Sequence, residues 1–376
     1  MVATYAWHPG SNSVNAQWAV TVPLMPDEMI SSWLVRAALT QGCDPLVLTG
    51  ELWPKWRIWT VDADRFFADE RIKHLSRVSG IPMEALRAAT LCSVANRIFG
   101  GTLPDKMMWP WMLALGARNT KRRSGLQYCS ACLAEDAKPY FRLQWRFAWH
   151  TGCERHNSLL LDRCHACNAP IEPHRLLAKD RNISICATCK ADFRDASIRS
   201  WSTEASLFQS MADHVVRQNQ GMFQGHAVVA AEWFELACFF ARLLRRANHG
   251  GIEALQEFIE RLGGKLPGSL PVASELRIEL LQTQERQKLI ESIYPFMISN
   301  REQFEKALVE SSLTLQGFCE KGDALPQTLQ WVTSYLPDKP RVRIPKPVRE
   351  LTAPRPRHEV MRMMARLQRR LEIVQR

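Results

Sequence analysis

Residues 128–171 read YCSACLAEDAKPYFRLQWRFAWHTGCERHNSLLLDRCHACNAPI, and this stretch, extended to residue 189, decides the fold. Seven cysteines and one histidine occur in it as four pairs, and two residues separate the members of each pair. In chain order the pairs are Cys129 and Cys132, Cys153 and His156, Cys164 and Cys167, and Cys186 and Cys189. Two ligands at this spacing fit on one tight turn, and two such turns complete the tetrahedral shell that zinc prefers.

The eight residues predict two closed sites, each holding one structural Zn²⁺. A closed shell leaves no position for water, so these ions are expected to hold the fold rather than to catalyse a reaction. Unliganded or disulfide-bonded thiols and an iron–sulfur cluster are the alternatives, and the even division with one histidine favours zinc. His150 and His165 also lie near the cysteines, and His156 is preferred because it alone keeps the two-residue gap.

The composition is that of a globular protein with more than one core: 376 residues, 46% hydrophobic and 23% charged. The first residues, MVATYAWHPG, lack the pattern of a cleavable signal, and the apolar runs are interrupted by charges. We therefore expect a cytoplasmic protein. Four further cysteines, which we interpret as small core residues, are Cys43, Cys92, Cys238 and Cys319.

The N-terminal region reads as helices. Residues 25–42, MPDEMISSWLVRAALTQG, predict a helix that Pro26, Asp27 and Glu28 open and Gly42 closes. Its apolar face consists of Ile30, Trp33, Leu34 and Ala37. A second helix is predicted to start at Asp44-Pro45.

Two later helices, separated by a turn at residues 80–82, have the spacing of a helix-turn-helix. Such a motif can place its second helix in the major groove of DNA, where Arg87 and Arg97 would be available. Simple packing of two helices is the alternative.

Between the first two ligand pairs, residues 141–149 read FRLQWRFAW and alternate large apolar with mostly polar side chains. This period of two predicts a strand whose aromatic face packs into the core. Arg142 and Arg146 are expected on the other face, towards a partner or an acidic neighbour.

The basic charge is concentrated at the C-terminal end. The formal net charge is +11, and residues 337–376 hold 12 basic and 4 acidic side chains. Six prolines predict an extended arm over 337–356, and apolar residues at steps of four and three predict a basic amphipathic helix from Arg357. The predicted nucleic-acid contacts are Lys121, Arg122, Arg123, Arg341, Arg343, Lys346, Arg349, Arg362, Arg366, Arg369 and Arg370. A solvated face, or a stripe that docks on a core or a partner subunit, is the alternative.

The predicted fold class is mainly α with small zinc-ribbon-like β elements. Five segments are predicted. They are an N-terminal extension (1–22), a helical, helix-turn-helix-like region (23–125), a tandem zinc-binding core (126–200), a C-terminal helical region (201–336), and the basic Pro-rich arm with its amphipathic helix (337–376).

The quoted stretch 128–171 resembles the signature of the TniQ family, because the first pair, the PYFRxxWR segment, the Cys-x2-His pair and the next Cys-x2-Cys occur in that order. Residues 26–42 and 79–91 are similar to the family's N-terminal helix and its following helix-turn-helix segment. Ser130 replaces a frequent proline, and His165 follows Cys164, but neither departure removes a ligand. Residues 201–376 lie outside the resemblance.

The resemblance implies a function that the spacing does not. TniQ proteins are selectors that bring the transposition machinery to a target and are not enzymes. Some bind an attachment site in DNA directly, and others, sometimes as dimers, dock on an RNA-guided CRISPR effector such as Cascade. They typically recruit the transposon's AAA+ ATPase regulator. The resemblance thus implies a bacterial cytoplasmic protein that acts at the nucleoid in DNA integration.

The residues themselves also favour a protein that is not an enzyme, because neither a phosphate-binding loop nor a His-Glu-x2-His motif occurs in the sequence. Two other classes stay open at this point. One is a zinc-containing DNA-binding regulator unrelated to transposition, and the other is a metal-dependent nuclease or recombinase.

Removal of the tail gives the first test. Truncation after Leu336 takes away 12 basic and 4 acidic residues. We expect weaker binding to nucleic acid or to a nucleoprotein partner and a salt slope that is shallower by about 0.9 for each phosphate that the tail neutralises. Filter binding across a salt series measures both quantities. A full-length control in which Arg341, Arg343, Lys346 and Arg349 become Gln keeps the length, and equal slopes for all three proteins would contradict the prediction.

Overall fold

The computed structural model describes residues 17–65, 67–101, 103, 108–115, 125–250, 252–266, 277–319, 324–337 and 356–374. Seven predicted nucleic-acid contacts lie outside these ranges, namely Lys121, Arg122, Arg123, Arg341, Arg343, Lys346 and Arg349. The chain divides into two compact units, Met1–Pro337 and Asp338–Arg376.

The first unit begins with five helices, α1 (Ile30–Thr40), α2 (Pro45–Leu52), α3 (Asp69–Ser79), α4 (Met83–Ala88) and α5 (Cys92–Phe99). A ligand-bearing region follows, with α6 (Ser130–Glu135) and the short antiparallel strands β1 (Gly152–Cys153) and β2 (Ser158–Leu159). The remainder consists of α7 (Thr203–Gln218), the antiparallel hairpin of β3 (Gln220–Phe223) and β4 (His226–Val229), and then α8 (Ala230–Gly250), α9 (Glu253–Arg261), α10 (Thr283–Ile298), α11 (Arg301–Glu310) and α12 (Leu315–Phe318). The predicted mainly helical class is confirmed.

The first helix starts later than the sequence predicts. Helix α1 begins at Ile30, because residues 27–29 instead bond to the backbone of residues 141–143: Leu143 N donates to Asp27 O at 2.6 Å and Met29 N to Phe141 O at 3.1 Å. The predicted apolar face is fully buried, and Gly42 follows the helix at φ 77°. Glu28 is buried and does not cap the helix, because its carboxylate accepts a hydrogen bond from Arg36 Nη2 at 2.6 Å.

Helices α3 and α4 lie at the predicted positions, joined by Gly80 in the left-handed region and by Pro82. Helix α4, the second helix of the predicted helix-turn-helix, spans only six residues, and a role in reading DNA is not confirmed for it. Arg87 forms an exposed ion pair with Asp69, and Arg97 donates to the backbone oxygen of Val216 at 2.6 Å.

The predicted strand over 141–149 is wrong. Single β-bridges occur at Arg142 and Phe147, and a 3-10 helix covers Leu143–Arg146 between them. The aromatic side chains are buried as predicted, but Arg146 and Ala148 of the expected polar face are buried too. An alternation of apolar and polar residues predicts a strand with one buried face, whereas this segment is buried on several sides.

Three apolar clusters form the core of the first unit, and residues 141–149 enter two of them. Phe141 and Trp145 pack among the ligand cysteines, together with Met29 and Leu39 from the α1 region. Phe147 and Trp149 pack among the helices of the C-terminal half. The third cluster joins α1 to α2, α3 and α4. The segment therefore connects the ligand-bearing region to the helices that follow it.

Arg146 is fully buried within a network of acidic groups. Its Nη2 lies 2.5 Å from Asp62 Oδ2, its Nη1 lies 2.6 Å from Asp64 Oδ2, and Nη2 also donates to Leu113 O at 2.7 Å. Burial opposes the charge on Arg146, but the two carboxylates keep its pKa above the ordinary value. Burial also raises the pKa of Asp64, against the effect of Arg146 and two hydrogen bonds from Ser31.

A second buried arginine ties α10 to the segment that precedes β1. Arg286 donates to Ala148 O and to Gln127 Oε1, each at 2.7 Å. Burial lowers the pKa of Arg286 to about 10, so the guanidinium stays charged at neutral pH. Its hydrogen bonds to oxygen atoms replace the hydration that burial removes.

The second unit contains α13 (Arg357–Val374). Val360, Met361, Met363, Met364 and Arg362 are exposed on it, and the side chains of Arg366, Arg369 and Arg370 lie outside the described residues. Among the described residues, every helix is too short or too polar to form a membrane span.

Substitution of Arg146 tests the buried network. Arg146→Ala leaves Asp62 and Asp64 without their cation, and breaking a buried pair in this way costs about 3–5 kcal/mol. We expect a loss of that size in urea unfolding. Arg87→Ala is the matched control, because an exposed pair contributes about 0–1 kcal/mol. Equal stability of the two variants would contradict a central role for Arg146.

Candidate metal centre

The first cluster gathers Cys129, Cys132, Cys153 and His156. His156 Nδ1 lies 3.4 Å from Cys129 Sγ, 3.3 Å from Cys132 Sγ and 3.4 Å from Cys153 Sγ, and the last two sulfurs are 3.5 Å apart. The three cysteines are buried and His156 is half-buried.

The second cluster gathers Cys164, Cys167, Cys186 and Cys189. Cys164 Sγ lies 3.6 Å from Cys189 Sγ, and Cys167 Sγ lies 3.8 Å from Cys186 Sγ. Cys164 and Cys186 are buried, whereas Cys167 and Cys189 are exposed. The two clusters thus differ in their access to solvent.

The donor atoms of both clusters fit a tetrahedral Zn²⁺ ion. In each, the four ligand atoms lie within 4.8 Å of one another. A Zn–S distance of about 2.3 Å places the sulfurs of a tetrahedral site about 3.8 Å apart, and nitrogen ligands lie somewhat closer. The measured separations match this requirement and are far longer than the roughly 2 Å of a disulfide. Either cluster could hold a metal ion.

Three of the four ligand pairs share one local conformation. The residue after the second ligand is left-handed in each of them: Asn157 at φ 44°, Asn168 at 56° and Lys190 at 66°. In the second cluster the turn is closed by paired backbone bonds, such as Cys164 N to Ala169 O and Asn168 N to Cys164 O, both 2.9 Å. Asparagine tolerates this region best among residues with a side chain, so two of the three turns carry a visible sequence signal.

The remaining pair is built on a helix terminus. Cys129 is the N-cap of α6, and its sulfur accepts Cys132 N at 3.5 Å. Both ligands therefore lie on the first turn of a helix, where backbone N–H groups point towards thiolates and favour negative charge.

Residues 19–160 match the family model TniQ. The matched segment runs from the region before α1 through the first cluster to the end of β2. The chain is similar to the TniQ family over this segment, which is 142 of its 376 residues. The match associates the protein with target selection in transposition. None of the curated proteins matches the chain. The second cluster and α7 to α13 lie beyond the match.

Glu135 lies beside the histidine of the first cluster, and sequence reasoning missed it. His156 Nε2 lies 3.0 Å from Glu135 Oε1, an ion-pair distance somewhat off the line of a hydrogen bond. A carboxylate behind a ligating imidazole fixes the ring and raises its basicity. The signal was available, because Glu135 follows Cys132 by three residues and therefore lies near it on α6.

The other two candidate histidines lie elsewhere. His150 Nε2 is 2.8 Å from Asp213 Oδ1, and Asp213 also accepts Trp149 Nε1 at 2.8 Å. Burial acts to raise the pKa of Asp213, but His150, Trp149 and Arg217 together hold it below its ordinary value. His165 is exposed and belongs to neither cluster.

Helix α7 contacts the backbone next to the first cluster through Gln209. Gln209 Oε1 accepts Thr151 N at 3.1 Å and Gly152 N at 3.3 Å, immediately before Cys153. Gly152 is required by packing, since a Cβ there would lie 2.0 Å from the Trp201 ring. Nothing in the sequence marks Gln209 for this role, because it lies fifty-seven residues away from the glycine.

Hydrogen bonds and burial shift the pKa values of the thiols in both clusters, and a bound divalent cation would take the place of the thiol protons. A hydrogen bond between Cys129 and Cys132 lowers the pKa of the first thiol and raises that of the second. In the second cluster, a backbone hydrogen bond at Ala191 lowers the pKa of Cys189 to about 7, while burial raises that of Cys164 to about 12. A cation that binds thiolates would release these protons.

The difference in exposure predicts an order of metal loss. A chelator should remove about one equivalent quickly from the cluster with exposed Cys167 and Cys189, and the second equivalent only on unfolding. A metallochromic dye follows release, and thiol alkylation read by mass spectrometry should mark Cys167 and Cys189 first. Simultaneous release, or first alkylation at Cys129, would contradict this order.

Loss of one ligand tests the structural role of each metal. Cys129→Ser or Cys164→Ser should remove about one equivalent of zinc and lower Tm by well over the ~2–4 °C that 1 kcal/mol shifts a large domain. Cys43→Ser is the matched control, because Cys43 is half-buried outside both clusters. Zinc loss without a change in Tm would refute the structural assignment.

Proposed function

We propose that the protein is a target-selection adaptor in transposition. It links a target-bound complex, either an RNA-guided CRISPR effector or attachment-site DNA bound directly, to the transposon's AAA+ ATPase regulator and transposase. The two clusters bind structural Zn²⁺ in this role, and the protein acts as a docking scaffold rather than as an enzyme.

The TniQ match over 19–160 is the observation that carries the proposal. The matched residues form one continuous platform, since α1 packs against the first cluster through Met29 and Val35 and Arg146 joins that region to Asp62 and Asp64. A rigid platform suits an adaptor, because partners held on separate surfaces keep a fixed geometry only when the surfaces are fixed to each other.

The environment of the acidic groups supports a role without catalysis. The buried carboxylates of Glu28 and Asp64 are each engaged by an arginine, and buried Glu279 accepts Trp111 N at 2.8 Å. A hydrolytic or recombinase centre needs carboxylates that converge on an open metal position. The two metal clusters instead offer four protein ligands each, which leaves no coordination position for substrate.

The basic arm and α13 supply the sequence-independent part of target contact in this proposal. Arg362 is exposed on α13, and the sequence adds a further run of basic residues before the helix. Such charge increases affinity for any phosphate backbone, so selection itself must come from a bound effector or from other surfaces.

Reconstituted integration tests the function and separates its two branches. The purified protein is combined with a transposase and an AAA+ ATPase regulator, taken from the genes beside its own where these encode such proteins. One arm supplies naked attachment-site DNA and the other DNA bound by the guide-RNA effector. Insertions mapped by sequencing should cluster near the target in one arm and scatter or vanish when the protein is omitted. The Cys43→Ser variant should behave as the wild type, and Cys129→Ser should not.

Two results would overturn the proposal. Insertion near the target that persists without the protein would remove its role in selection. DNA cleavage by the protein alone with magnesium would assign it to the nucleases instead. Adjacent Cas genes would favour the RNA-guided branch, whereas pull-down of naked attachment-site DNA without the effector would favour direct binding.

A further inference from the structure

The hairpin of β3 and β4 presents a free strand edge. Phe223 pairs with His226 across the loop Gln224-Gly225, and both loop residues have positive φ, 49° and 81°. This is the geometry of a tight two-residue hairpin, in which the flanking pair is hydrogen-bonded. Hydrogen-bonded and non-hydrogen-bonded pairs alternate along antiparallel strands, so Gly221 also bonds to β4. The peptide groups of Gln220 and Met222 consequently face away from β4.

A surface groove runs beside this edge, between β3 and α7. Its walls and floor include Met211, His214, Arg217, Gln220, Met222 and Trp233. No other backbone group in the described part of the chain hydrogen-bonds to the outer edge of β3. The groove therefore combines a row of open donors and acceptors with apolar side chains.

Tight packing fixes the floor of the groove. A Cβ at Gly221 would lie 2.7 Å from Val215 and 2.8 Å from Trp233, so only glycine lets β3 approach α7 and α8 this closely. Trp233 is fully buried, and its indole Nε1 has no hydrogen-bond partner among the described residues. A buried N–H without a partner costs about 1–3 kcal/mol, and an oxygen-rich occupant could relieve that cost.

The charge around the groove selects among occupants. None of its lining residues is acidic, and His214 and Arg217, both exposed, lie on α7 one helical turn apart. Met222 is 57% exposed beside them. An occupant that places carboxylates near α7 and apolar side chains over Met211 and Met222 matches both properties.

We propose that the β3 edge is a docking site for an extended acidic segment of a partner protein, which adds to the hairpin as a third strand. Its backbone pairs with Gln220 and Met222, its Asp or Glu side chains meet Arg217 and His214, and alternate apolar residues enter the groove. The proposal does not depend on the role in transposition.

The sequence of the edge carries none of the usual obstacles to such pairing. Native edge strands commonly carry lysine, proline or a bulge, and β3, although only four residues long, reads Gln-Gly-Met-Phe with none of these. The basic arm of this chain does not suit the edge, because its prolines cannot donate to a ladder and its charge repeats that of Arg217. An acidic partner strand avoids both difficulties.

A displayed library of random octapeptides, panned on the full-length protein, tests the proposal. The matched variants are Met222→Pro, which removes the N–H on the outer edge of β3, and Ala227→Pro, which makes the same change at the paired position on β4. Equal Tm values for the two variants show that any difference in binding is not a folding defect. Enriched peptides should alternate Asp or Glu with Val, Ile or Leu.

Synthetic peptides then give the quantitative test by fluorescence anisotropy. We expect Met222→Pro, Arg217→Glu and methylation of alternate peptide nitrogens each to weaken binding by about tenfold or more, and Ala227→Pro to leave it unchanged. Replacing the peptide carboxylates by Lys should abolish binding to the wild type and restore it to Arg217→Glu.

Three results would overturn the proposal. One is the absence of enrichment over Met222→Pro, and another is enrichment of basic or proline-rich peptides. The third is sedimentation showing that Met222→Pro dissolves a dimer, which would assign the edge to a second copy of this chain.

Discussion

The buried guanidinium of Arg146 is the constraint on which the first unit depends. A buried charge is costly unless counter-charges or hydrogen bonds compensate it, and Asp62 and Asp64 supply both from the segment between α2 and α3. Because Arg146 lies between Trp145 and Phe147, its position also sets which core each aromatic neighbour enters. One side chain thereby links the N-terminal helices, the ligand-bearing region and the C-terminal helices. Arg286 is a second buried guanidinium that connects distant segments, and it does so through hydrogen bonds rather than ion pairs.

The two clusters differ in which parts of the chain hold their ligands in place. The first lies within the TniQ match and is enclosed by α1, α6 and the Gln209 side chain of α7, so its ligands are held by elements from three regions. The second is built from two local turns, and half of its thiols reach solvent. A metal ion in the first cluster would therefore restrain several distant segments of the first unit, whereas one in the second cluster would mainly restrain the two turns that supply its ligands. Each cluster gathers four possible protein ligands, the number that fills a tetrahedral zinc shell.

Within the first unit, parts of α3 and α4 and the outer edge of the β3–β4 hairpin lie at the surface, whereas the first cluster is mostly buried. Arg97 shows why basic residues cannot be assigned to nucleic acid from composition alone, since its guanidinium is used to bond the end of α7. The buried charges of Arg146, Asp62 and Asp64 tie separate segments of the first unit to each other.

The sequence by itself determined the ligand pairs, most of the helices and their apolar faces, because these depend on spacing within a few residues. Cys-x2-Cys turns, the Gly80 stop and the face of Trp33 and Leu34 are all local. Only the tertiary structure decided that residues 27–29 pair with 141–143, that residues 143–146 form a 3-10 helix, and that Gln209 supports the first cluster. The two-residue gap already favoured His156 over His150, and the structure adds that Asp213, sixty-three residues away, engages His150. These outcomes depend on contacts between residues far apart in the chain, and the periodicity of a single segment carries no information about them.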